Sequence, residues 1–245
     1  MIAEALKRHE RIALLFSGGK DSLACLELAR PYLDRITVTW VNTGSVFPEI
    51  AELMEQVRAD VPYFLEINSN VNRFIAEVGV PSDIVPVSAT PAGRALNGSD
   101  GMPITSWLEC CMANIWMPMA SAWKRLGVTA VIRGQRDADV KRSPYRHGSH
   151  FDGVEFIHPI EDWTDEQVRG YLEARGIEID ERLSLAHSSL DCRVCTGFLD
   201  ETADRLAYLK RRHPRDAEYV ITTVRSIGEV IQRDLQPMCD LLEGG

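Results

Sequence analysis

The chain has 245 residues and a mass of 27.5 kDa, enough for one large domain whose core needs no covalent staples. Hydrophobic residues make up 45% and charged residues 26%, which excludes wholesale disorder. The net charge of -9 argues against general nucleic-acid binding or an anionic membrane as partner, because both select basic surfaces.

Apolar runs such as Ile12–Phe16 stop after about five residues, far short of a membrane span. The charged start, with Glu4, Lys7, Arg8 and Glu10, lacks the apolar stretch of a secretion signal, so a cytoplasmic protein is expected.

Arg11–Phe16 reads as a short buried strand that runs straight into Ser17-Gly18-Gly19-Lys20-Asp21-Ser22. Leu23–Arg30 has helical spacing, which Pro31 is expected to end. Ile36–Val41 is a second strand, followed by the turn Asn42-Thr43-Gly44. Pro48 opens a helix through Asp60, and Tyr63–Ile67 is a third strand. Gly79–Ser106 carries four prolines and four glycines in 28 residues and fits no regular element, yet is too long for a simple connector. Met112–Leu126 reads as a helix kinked at Pro118, and Ala130–Ile132 as a fourth strand. Arg136–Gly153 is a locally basic loop. Thr164 and Gln167 have the spacing of a capping box for a helix over Asp165–Ala174, stopped at Gly176. From Glu201 onward the chain reads as helical and charged. Strands alternating with helices predict an α/β fold with a doubly wound, mostly parallel sheet. Residues 1–200 form the main domain and 201–245 a helical extension of it.

The sharpest local signal is Ser17–Ser22. Two glycines directly after a strand let backbone N–H groups approach an anion, and the helix that follows points its positive end at the same place. Lys20 adds a charge, and Ser17 and Ser22 add hydroxyls. It is not a Walker A loop, which would need glycine where Leu14 stands.

Ser-Gly-Gly-Lys-Asp-Ser after the first strand resembles the PP-loop of the adenine nucleotide α-hydrolases. That group includes ATP pyrophosphatases, ATP sulfurylase small subunits and phosphoadenylyl-sulfate (PAPS) reductases. Val41–Glu49, Ile132–Arg136 and His158–Thr164 are similar to motifs of the PAPS reductase branch, in the same order. The resemblance implies a Rossmann-like fold with an adenine nucleotide across the carboxyl ends of the strands. Ser17, Gly18, Gly19, Lys20, Asp21 and Ser22 would hold its phosphates, with Asn42, Thr43 and Gly44 beside it. Asn42 departs from the family's usual aspartate, which replaces a carboxylate by a neutral amide. Arg133, Gly134, Arg136, Lys141 and Arg142 would bind a sulfate or second phosphate, guanidinium forks being suited to tetrahedral oxyanions.

Six cysteines include two tight pairs, Cys110-Cys111 and Cys192-x-x-Cys195. In a reducing compartment such clustering points to metal or redox chemistry. Zinc, a [4Fe–4S] cluster, a reversible disulfide and inert thiols remain alternatives. Adjacent cysteines are awkward on one tetrahedral ion, whereas a cubane accepts them on different corners. The pattern also resembles that of the iron–sulfur adenylyl-sulfate (APS) reductases, which implies a [4Fe–4S] cluster. Cys25 reads as a core residue. Cys239 would be catalytic only in a reductase, and its surroundings lack the glycine and histidine of the family's C-terminal motif.

Three functions follow as expectations. One is ATP pyrophosphatase or adenylylation chemistry with Lys20 and Asp21 at the phosphates, Mg²⁺ as cofactor and a sulfur donor protein as partner, as in the related thiolation and DNA phosphorothioation enzymes. The second is reduction of APS or PAPS to sulfite with thioredoxin. The third is a non-catalytic, cluster-bearing nucleotide sensor. Family analogy adds a homodimer.

Overall fold

The structure, a computed structural model, describes residues 1–98, 101–139, 143–177, 192–198 and 202–243. Lys141 and Arg142 lie outside the described residues.

The main sheet has six strands: β1 (Ile12–Leu15), β2 (Ile36–Asn42), β3 (Phe64–Asn68), β6 (Ala130–Ile132), β7 (His150–Phe151) and β8 (Val154–Ile157). Their order is β3-β2-β1-β6-β8-β7. All pairs are parallel except the edge hairpin of β7 with β8. Alternate residues of the central strands go to opposite faces, and both faces are covered. Ile12 and Leu14 enter the larger core with Val38, Ile132 and Ile157, under α2 (Lys20–Ala29), α3 (Pro48–Asp60) and α8 (Asp165–Glu173). Ala13 and Val131 face Trp123 of α7 (Met117–Leu126) on the other side. Each fully buried leucine or isoleucine here contributes about 1.5–3 kcal/mol.

Two of the sequence signals at element ends operate as expected. Pro48 occupies the first turn of α3, where its missing N–H costs nothing. The Thr164–Gln167 capping box is formed in full at α8. Pro31 does not stop the chain's helical course: a 3₁₀ segment, Arg30–Arg35, continues from α2 with the proline in its first turn. The glycine- and proline-rich segment is more regular than its composition suggests. It holds β4 (Val80–Ser82) and β5 (Ile104–Ser106), paired in parallel as a small second sheet, with α5 (Pro91–Asn97) between them. The expected break at Pro118 falls earlier. After α6 (Trp107–Cys111) the backbone widens into a π-turn over Met112–Trp116, and Pro118 sits harmlessly in the first turn of α7.

Two helices close the chain, α9 (Thr202–Arg212) and α10 (Pro214–Glu243). They share the main core through Tyr208, Leu209, Ala217 and Val220. Tyr208 donates to Glu49 Oε1 at 2.6 Å, and His213 Nε2 lies 2.7 Å from the same oxygen, tying α9 and α10 to α3. Further along, Ile227 and Val230 of α10 pack with Val80, Ala89 and Ile104. Among the described residues no helix is long and apolar enough to cross a membrane.

Candidate nucleotide-binding and cysteine site

The strand order reverses at β1, whose neighbours β2 and β6 lead away in opposite directions. The crevice at the carboxyl end of that point is where open α/β sheets bind ligands. Three predicted segments lie at the carboxyl ends of these strands: Ser17–Gly19 after β1, Asn42–Gly44 from the last residue of β2 onward, and Arg133–Arg136 after β6.

In the loop Gly18 turns with φ +77°. Ser22 Oγ donates to the Gly19 carbonyl at 2.8 Å, and the Gly19 N–H points to Ser17 Oγ at 3.4 Å. Gly134 lies so close to α2 that a Cβ there would stand 2.7 Å from the Asp21 carbonyl carbon, so only glycine permits this approach. It lets the chain after β6 deliver Arg136 to the helix start.

Arg136 is buried, with its Nε 3.0 Å from Asp21 Oδ1, its Nη2 3.3 Å from Asp139 Oδ1, and its Nη1 without a hydrogen-bond partner among the described residues. Lys20 Nζ pairs with Asp21 at 2.9 Å and with Asp165 at 2.8 Å. Burial raises the pKa of Asp21 despite the nearby Lys20 and Arg136 charges. Burial also opposes ionisation of Asp165, but hydrogen bonds from Lys20 and Arg169 outweigh it and bring its pKa down to about 2. Burial lowers the pKa of Arg133, with the Asp139 charge opposing. The site therefore gathers cations that an incoming oxyanion could take over from carboxylates. Asp165 and Asp139 were not singled out from sequence. A signal existed for Asp165, an acid in the first turn of a capped helix.

Asn42 has a local explanation. Its amide donates to Glu66 Oε1 at 2.7 Å, and its Oδ1 accepts the Gly44 N–H at 3.0 Å. An aspartate there would face the Glu66 carboxylate, so the amide suits a neighbour one strand away that sequence spacing could not reveal.

The four paired cysteines converge. Cys110, Cys111, Cys192 and Cys195 line one cavity with Asn114, Trp107, Val71, Ile75, Pro81, Ile115 and Val194. The space they enclose is about 20 Å³, room for about one water. The approach is enforced by packing: a Cβ on Gly197 would lie 2.6 Å from Trp107 Cβ, and the Phe198 and Trp107 rings are 4.4 Å apart. Thr196 Oγ1 donates to the Pro81 carbonyl at 2.5 Å, and Arg205 Nη2 to that of Cys192 at 2.9 Å. Cys192 Sγ donates to Thr43 Oγ1 at 3.2 Å, which joins the cysteine cavity to the loop after β2. Burial, with Cys195 nearby, pushes the Cys110 thiol up to about 12. Among the described residues no three His, Cys, Asp or Glu side chains stand close enough to hold a single metal ion.

Cys25 is fully buried in the core. Cys239 is not brought to this site. It is exposed near the far end of α10, 23 residues beyond Asp216, which pairs with Arg193 at 3.3 Å. At about 1.5 Å per residue that is roughly 34 Å along the helix. A groove of about 300 Å³ at the α9–α10 junction, lined by Lys210, Pro214, Ala217, Glu218, Ile221, Thr222 and Arg225, contains none of the predicted site residues.

Comparison with known proteins agrees with this architecture. An adenosine 5'-phosphosulfate reductase of Burkholderia cepacia is 21% identical over 93% of this chain and 87% of its own length. Its counterpart from Mycolicibacterium smegmatis is 30% identical over 36% of this chain, an alignment spanning only 38% of that protein. The solved phosphoadenylyl-sulfate reductase of Candida auris, a phosphate complex, shares the fold with a TM-score of 0.53 at 19% identity, covering 75% of this chain and 82% of that one. A U34-tRNA thiolase of Methanococcus maripaludis, solved with its [4Fe-4S] cluster, aligns at 17% identity with a TM-score of 0.44, over 89% of this chain and 72% of that one. Residues 11–198 match the model of the phosphoadenosine phosphosulfate reductase domain, and the chain belongs to that family.

Proposed function

We propose that this protein is an iron–sulfur enzyme of sulfur metabolism that binds ATP at the start of α2, adenylylates an acceptor and releases pyrophosphate. The observation that carries this reading is the convergence of Lys20 and the buried Arg136 on an unaltered Ser-Gly-Gly-Lys-Asp-Ser loop. An acceptor nucleophile would attack the α-phosphorus and form a new bond there. The bond to the α,β-bridging oxygen breaks, and pyrophosphate leaves with the electron pair. Lys20 and Arg136 neutralise the charge that develops on the phosphate oxygens, and backbone N–H groups at the helix start fix their position. Mg²⁺, when bound with the triphosphate, adds to that neutralisation.

Cys110, Cys111, Cys192 and Cys195 would hold a [4Fe–4S] cluster, which supplies sulfur-binding or electron-transfer chemistry when present. The chemistry of the donor set fits such a group: four thiols line one otherwise largely apolar cavity.

The second reading, a cytoplasmic thioredoxin-dependent reductase that converts APS or PAPS to sulfite and the corresponding adenosine phosphate, is favoured by the names of the relatives. The position of Cys239 disfavours it. Pyrophosphate release from ATP by the anaerobically reconstituted protein, lost in Lys20→Ala and kept in Cys239→Ser, is the test. Sulfite release from APS that requires Cys239 would overturn the first reading.

A further inference from the structure

Asn114 is polar, 4% exposed, and stands inside the cavity that the four cysteines line. It lies just beyond α6, in the turn that follows it. The side chain is committed: Nδ2 donates to the Cys110 carbonyl at 3.0 Å and lies 3.9 Å from Cys110 Sγ. Two N–H bonds on one nitrogen can serve a carbonyl and a sulfur at once. The backbone around it is also special. Asn114 is the middle residue of the π-turn Met112–Trp116, where the Met117 N–H reaches back five residues to Met112. Single π-turns inside α-helices carry a cost and recur at functional sites.

We propose that Asn114 is a positioning residue. By an N–H···S hydrogen bond it orients Cys110 as a ligand and tunes the reduction potential of the cluster that Cys110 helps to hold. This rests on the cluster assignment made above. Three physical points lead to it. A thiolate in an apolar cavity needs donors to offset its desolvation, and among the described lining residues Asn114 is the one whose side-chain N–H is directed at a cysteine sulfur. Hydrogen bonds to cluster sulfurs stabilise the more negative, reduced state and so raise the potential. The second N–H, held by the Cys110 carbonyl, fixes the rotamer and with it the position of the donor against the sulfur.

The test uses the full chain, reconstituted anaerobically with iron and sulfide as wild type, Asn114→Leu and Asn114→Ser. Iron content, visible spectrum and midpoint potential are read for each, with ATP affinity as the control for folding. The expected result is a cluster in Asn114→Leu whose potential is shifted negative, with recovery toward wild type in Asn114→Ser, whose hydroxyl can donate. An unchanged potential in Asn114→Leu overturns the proposal. Should Asn114→Leu fail to retain iron, uptake in Asn114→Ser supports the proposal and loss in both overturns it. A wild-type protein that takes up no iron defeats the cluster assignment itself, a result distinct from any of these.

Discussion

Cys192 and Thr43 are 149 residues apart in the chain, yet the cysteine sulfur donates to the threonine hydroxyl at 3.2 Å. Thr43 is fully buried, directly after β2, in the turn expected to pass beside a nucleotide. The two candidate sites thus share a wall. Thr43→Val keeps the shape and removes the hydroxyl, so it should cost about 0.5–1.5 kcal/mol of stability, measured by denaturant unfolding. In the wild type, added nucleotide should change the alkylation rate of Cys192; in Thr43→Val that response should shrink.

The cations at the start of α2 should dominate nucleotide affinity. Lys20→Ala and Arg136→Ala each remove a charged donor from the loop, worth about 1.5–3 kcal/mol, or roughly a 10- to 100-fold rise in Kd. Isothermal titration with ATP measures this. Arg146→Ala, which pairs with Asp137 on the surface, should change the affinity little.

Asp165 makes the phosphate end sensitive to acid. Its folded pKa is about 2 against an ordinary 3.8, so its ionised form stabilises the fold. That contribution is fully present above the ordinary value and lost as pH falls toward 2. Wild type should therefore be more stable than Asp165→Asn at neutral pH, and the difference should close through that window in acid unfolding curves. Because the side chain is 42% exposed, solvent screens the effect and keeps it small.

Close approaches at two glycines can be tested directly. Gly134→Ala places a methyl 2.7 Å from backbone of α2, and Gly197→Ala places one 2.6 Å from Trp107 Cβ. Each should destabilise by about 1–3 kcal/mol. The functional losses should separate: Gly134→Ala should impair nucleotide binding, and Gly197→Ala should impair iron uptake.

Much of the fold around the candidate site is legible in the sequence because its parts are local. A buried run into two glycines, a proline at a helix start and a Thr-x-x-Gln cap each act within one turn, and β1, α3 and α8 formed accordingly. Pairing of Cys110-Cys111 with Cys192-x-x-Cys195 was legible from chemistry and a family resemblance rather than from periodicity. What escaped depends on distant partners. β4 and β5 are three residues each, one with a proline, and exist only because they pair across 24 positions. The role of Asn42 follows from Glu66 on the next strand, and that of Asp165 from Lys20 some 145 positions earlier. β8 was missed because Val154–Ile157 is a short run carrying a charged Glu155, which is buried against Arg8 and His9. The π-turn follows from no propensity rule for Met112–Trp116.

The most direct test is equilibrium binding of ATP, APS and PAPS, measured in parallel on the anaerobically prepared protein. Tightest binding of ATP, weakened in Lys20→Ala, is the predicted result; tighter binding of a sulfated nucleotide, or affinity for ATP that survives the loss of Lys20, would contradict it.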